Sequence, residues 1–84
     1  MRRKWTNTTL RQKLGEAGFF ETNLTPLADK ADYVGTIWDR NGFQVVLWEH
    51  RVYGPQLTLR NTLADIDPDD LGVVNINSQE RTRP

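Results

Sequence analysis

The sequence predicts an α+β domain: a short N-terminal helix packed on a small, mostly antiparallel sheet of three or four strands. Three observations predict it. Asn41-Gly42 sits between two runs of β-branched and aromatic residues, 33–40 and 43–50, which is the strongest short signal for a hairpin. Leu10, Leu14 and Ala17 recur at i, i+4 and i+7, one face of a helix. The chain has 84 residues, enough for one domain but not two.

The elements follow in chain order. Residues 1–7 read as a basic arm that carries Trp5. A helix is predicted over about residues 8–17, with Thr8 or Thr9 as a cap whose hydroxyl satisfies an orphan amide of the first turn. Gly15 weakens this helix and Gly18 ends it in a left-handed conformation. Phe19 and Phe20 are expected to enter the core where the chain leaves the helix. The stretch ETNLTPLADKAD, residues 21–32, reads as a loop. Pro26 holds Thr25 extended and allows one helical turn after it.

In the hairpin, a two-residue turn at Asn41-Gly42 pairs Arg40 with Phe43. The pairing then alternates outward. One face carries Phe43, Trp38 beside Val45, Thr36 beside Leu47, and Val34 beside Glu49. The other carries Ile37 beside Val46, Gly35 beside Trp48, and Tyr33 beside His50. Trp48 opposite Gly35 is an arrangement in which a ring shields bare backbone.

Beyond the hairpin, Tyr53-Gly54-Pro55 marks a turn. Residues 56–61 alternate polar and apolar and are assigned as a third strand, although 58–66 also satisfies helical spacing through Leu59, Leu63 and Ile66. T-L-R-x-x-L occurs at 9–14 and again at 58–63, too few copies to define a repeat. Asp67-Pro68-Asp69-Asp70 reads as a cap, a proline at the first helical position and acids in the first turn. Residues 73–76 suit a final edge strand. The domain is thus expected to span 1–77, with 78–84 as a polar, flexible tail.

Composition narrows the function classes. Hydrophobic residues make up 37% of the chain, on the lean side, and charged residues 26%, an ordinary value for a soluble domain. Cysteine is absent, so neither a disulfide nor a thiolate is available, which fits a reducing, cytoplasmic setting. MRRKWTNTTLRQKL lacks the apolar run of about 7–15 residues of a secretion signal. No window approaches the roughly 18 apolar residues of a membrane span. The sequons at Asn7 and Asn23 are accordingly read as chance.

Formal net charge is zero, but the charge is sorted: Arg2, Arg3, Lys4, Arg11 and Lys13 lie in 1–14 without an acid, and Asp65, Asp67, Asp69 and Asp70 lie in 65–70 without a base. Sorted ends of this kind are usually solvated.

Catalytic and metal motifs fail on spacing. The 65–76 stretch resembles a calcium loop only superficially, because the sixth and twelfth positions, Asp70 and Ile76, should be Gly and Glu. His50 is the sole histidine. Its neighbour Glu49 points to the opposite face of a strand, so no triad or zinc site forms. Gly15 and Gly18 belong to no phosphate-binding motif. The sequence therefore predicts neither enzyme, cofactor nor metal.

Two binding readings remain. A half-wet hairpin should alternate apolar and polar residues, yet this one is apolar on both faces. Either the chain folds back over the second face, or that face meets a second copy, or it receives another protein. The expected function is a non-enzymatic interaction module (an inhibitor, adaptor or assembly subunit of the kind phage and mobile elements encode) that docks Tyr33, Ile37, Val46, Trp48 and His50 on a partner protein. The alternative is nucleic-acid binding by Arg2, Arg3, Lys4, Trp5, Arg11, Lys13 and Arg40, with Trp5 stacking on a base. The neutral total charge argues against that alternative.

Overall fold

In the computed structural model, residues 5–26 and 29–71 are described. They form one helix on a four-stranded antiparallel open sheet. Helix α1 spans Asn7–Glu16, and strands β1 to β4 span Phe20–Glu21, Val34–Arg40, Phe43–His50 and Gly54–Leu59, adjacent in chain order. A 3₁₀ turn covers Pro68–Asp70, capped by the Asp67 side chain on the Asp69 amide.

The hairpin register is the predicted one at every pair from Arg40–Phe43 to Val34–Glu49. Asn41 and Gly42 both have positive φ, +54° and +88°, as a type I′ turn demands. Strand β4 continues the meander, Val45 opposite Leu59 and Glu49 opposite Pro55. The helix alternative for 58–66 is overturned: Leu57 and Leu59 lie in β4, and the chain turns back so that Asp65 bridges Thr58. Bonds Leu59 N–H to Ala64 O and Ile66 N–H to Leu57 O then cover the β4 edge, which removes an unpaired ladder.

Three boundaries differ from expectation. The helix cap is Thr6, not Thr8 or Thr9. Thr9 instead occupies the third helical position and completes a reciprocal capping box with Thr6, two orphan amides satisfied together. Phe19 is buried as expected, but Phe20 is exposed and starts β1, where it pairs with Asp39. Pairing claims Phe20 because Gly18, at φ +95°, turns the chain back along β2. The third strand begins at Gly54, two residues before the predicted start. The proposed strand at 73–76, the tail at 78–84 and most of the basic arm lie outside the described residues.

The core has two parts separated by the sheet. On the helix side, Leu10 and Leu14 meet Trp38, Val45, Leu47 and Leu57, joined by Phe19 and Leu71. The helix thus buries its i, i+4 stripe against the sheet. On the other side, Ile37, Val46 and Trp48 form a smaller cluster with Tyr33 at its rim. The Trp48 indole N–H donates to the buried Thr58 hydroxyl at 2.9 Å, the partner a buried indole needs.

The connection between β1 and β2 lies over this second cluster. The Trp48 ring and the Pro26 ring both close on Gly35, where an added Cβ would sit 2.7 Å from Trp48 Cζ3 and 2.9 Å from Pro26 Cγ. The Lys30 ammonium stands over the Tyr33 and Trp48 rings, 5.2 and 5.7 Å from their centroids, and donates to Gln56. Ammonium over ring is a favourable placement, and the lysine stem adds apolar cover. No helix among the described residues is long and apolar enough to cross a membrane.

Candidate partner-binding surface

The open second face expected from the sequence does not exist in the monomer. Trp48 is 2% exposed, and Ile37 and Val46 are buried as completely. Of the five residues expected to contact a partner, only Tyr33 and His50 reach solvent, and only in part. The physical reason is the β1–β2 connection, which contributes Pro26 and Lys30 where no regular element was expected. The first of the three explanations, the chain folding back on itself, is the one the structure adopts.

Phe20, Leu24 and Leu63 are exposed singly, but the three most exposed large apolar side chains lie at the end of the sheet opposite the Asn41-Gly42 turn. Strand β3 passes to β4 through Arg51, Val52 and Tyr53. Val52 is 74% exposed and Tyr53 76%, and Val34, beside the same end, is 64% exposed. The turn is braced from within. His50 Nδ1 accepts from the amides of Val52 and Tyr53, at 2.9 and 3.0 Å. This fixes Nε2 as the N–H nitrogen of the neutral ring. The His50 ring lies between Tyr33 and Tyr53, with centroids 4.9 and 4.6 Å away. The Asn7 amide donates to the His50 carbonyl at 3.2 Å, tying the turn to the start of α1. An Ala at Gly54 would bring its Cβ to 3.4 Å from the Trp5 carbonyl, so the incoming N-terminal segment passes this end as well.

Sequence reasoning missed Val52 and Tyr53. It read Tyr53-Gly54-Pro55 as a turn and took nothing further from it. The signal was there in the composition: the connection carries Val and Tyr where turns usually place Asn, Asp or Ser.

The basic residues divide differently from the expected stripe. Arg11 donates from Nε and Nη2 to both carboxylate oxygens of Glu49, at 2.8 and 2.9 Å, and from Nη1 to Glu21 at 3.0 Å. These bonds, that to Glu49 foremost, raise the Arg11 pKa against the lowering effect of burial. Its guanidinium also stands 5.9 Å from the Trp38 ring centroid. Arg40 does not project from the hairpin tip. It folds back along Gly18 and donates to the Ala17 carbonyl at 2.7 Å, closing the C-terminal end of α1, where positive charge is favoured. Trp5 is half-buried against the helix-side core. Lys13 is half-buried on α1. Arg2, Arg3 and Lys4 lie outside the described residues. Of the described cations in that set, Arg11 and Arg40 are thus each held by partners within the chain.

Among the described residues, no three His, Cys, Asp or Glu side chains gather to hold a metal ion. Comparison with protein-family models, with curated proteins and with solved structures finds no match.

Proposed function

We propose that this chain is a small, non-enzymatic interaction module that grips a partner protein with the β3–β4 turn. Val52 and Tyr53 make the contact, Val34 extends it, and Tyr33 and His50 hold it in shape. One observation carries this reading: two large apolar side chains stand in water on a turn that His50 bonds into a fixed form. Preorganised apolar side chains lose little entropy on docking, and tyrosine is a frequent anchor at interfaces.

The chemistry favours protein over nucleic acid. Val52 and Val34 offer nothing to stack on a base, Tyr53 is the one exposed ring of the contact, and the described arginines of the basic set, Arg11 and Arg40, are committed to Glu49, Glu21 and the end of α1. A partner of different sequence is favoured over a second copy. An isologous contact around this turn would bring Arg51 toward its own copy, with like charges opposed. A cytoplasmic setting belongs to the same proposal, supported by the lack of cysteine, as does a phage or mobile-element origin.

Photo-crosslinking in the native host tests it. A benzophenone amino acid at 52 or 53 should yield protease-sensitive adducts that the same probe at Gln12 or Asn61, both exposed elsewhere, does not. Adducts at 12 and 61 but not at 52 and 53, or adducts removed by nuclease, would overturn the reading.

A further inference from the structure

Asn41 is the only asparagine in the chain followed by glycine, and both residues of the pair are exposed. A Cβ built on Gly42 would meet nothing within 4 Å. We propose that Asn41 is a site of spontaneous deamidation, gated by opening of the β2–β3 turn, and that its isoaspartyl product undoes the register of the sheet.

The chemistry balances without any redox partner. The Gly42 amide nitrogen loses its proton to solvent base and attacks Asn41 Cγ. The new C–N bond closes a succinimide, and the side-chain nitrogen leaves as ammonia, reprotonated from solvent. Water then opens the ring. Addition at the former side-chain carbonyl restores an ordinary aspartyl link. Addition at the backbone carbonyl leaves the chain running through Cβ as isoaspartate.

The closed turn opposes the first step in two ways. Gly42 N–H donates to Asp39 Oδ1 at 3.2 Å, which holds the proton that must leave. Asn41, at φ +54°, has the φ of the left-handed well, where ψ ordinarily lies at about +47°, whereas closing the five-membered ring needs ψ swung far out of that well. The reaction must therefore wait for the hairpin end to open, a local event of the kind that turn tips undergo. Once formed, isoaspartate adds a backbone carbon to a two-residue loop. The turn type and loop length set the Arg40–Phe43 pair and every pair beyond it. That end of β2 also carries Arg40 to the close of α1.

The test uses the full chain, incubated at neutral pH and followed by peptide mapping with isoaspartyl methyltransferase labelling. In denaturant, label should appear at Asn41 ahead of Asn7, Asn23, Asn61, Asn75 and Asn77. In the native protein it should still concentrate at Asn41 but arise at least about tenfold more slowly, the factor that an opening free energy near 1.4 kcal/mol imposes. Asp39→Ala, which frees the Gly42 amide, should recover part of that factor. The purified isoaspartyl chain should lose native tryptophan emission, while Asn41→Asp, with the same charge and an unaltered backbone, keeps it. Equal rates in native and denatured chain, native label concentrated at another asparagine, or an isoaspartyl chain with the parent's emission would each overturn the proposal. These readouts need no partner and stand apart from the function proposed above.

Discussion

The two faces of this sheet carry similar side chains and are closed in different ways. The helix-side face, with Trp38, Val45 and Leu47, is covered by a regular amphipathic element whose Leu10–Leu14 spacing announces it. The opposite face, with Ile37, Val46 and Trp48, is covered by an irregular connection that presents Pro26 and Lys30. Apolar residues on both faces of a hairpin do not by themselves imply an open surface. A chain this short closes its second face with one proline ring and a lysine stem because the apolar stripe there is narrow. On the same face, toward the turn, lie Asp39 and Gln44, where the Gln44 amide donates to Asp39 and its oxygen accepts from Arg60, and these need no apolar cover.

The largest effect that tests this comparison is Trp48→Ala. It empties the second cluster and orphans the Thr58 hydroxyl, so chemical denaturation should show a loss of about 3–5 kcal/mol. A loss below 1 kcal/mol would mean that the second face is not packed. Gly35→Ala comes next. Its new methyl must displace the Trp48 ring and Pro26, at about 1–3 kcal/mol, again read from the denaturation midpoint. On the helix-side face, Glu49→Gln weakens the Arg11 pair. Because that arginine is more than a third exposed, the loss should stay under about 1 kcal/mol. The smallest effect belongs to Val52→Ser, 74% exposed, which should leave stability within about 0.5 kcal/mol while weakening partner adducts from a crosslinking probe at Val34.

The hairpin was legible because its information is local. Asn41-Gly42 dictates the turn, the turn dictates the pairs, and Trp48 opposite Gly35 follows from counting. The helix was legible as a stripe, but its first residue was not, since Thr6, Thr8 and Thr9 all offer a capping hydroxyl and only tertiary placement selects Thr6. Strand β1 escaped notice because two residues carry no period. The cover of the second face was illegible for a related reason: ETNLTPLADKAD has no periodicity, and what Pro26 and Lys30 touch is fixed by the fold rather than by their neighbours in sequence. The same limit hid the candidate surface. Tyr33 and His50 were found through their register in the hairpin. Val52 and Tyr53 sit in a turn, where exposure follows from the His50 brace and not from alternation.

The closure of the second face is tested most directly by the emission of Trp48 alone, with Trp5 and Trp38 replaced by Phe. In dilute, monomeric protein the indole should emit as a buried ring and resist acrylamide, at every concentration. Emission typical of a wet ring, or quenching relieved only as the chain self-associates, would show that Pro26 and Lys30 do not close that face and would return Trp48 to the surface as a contact residue.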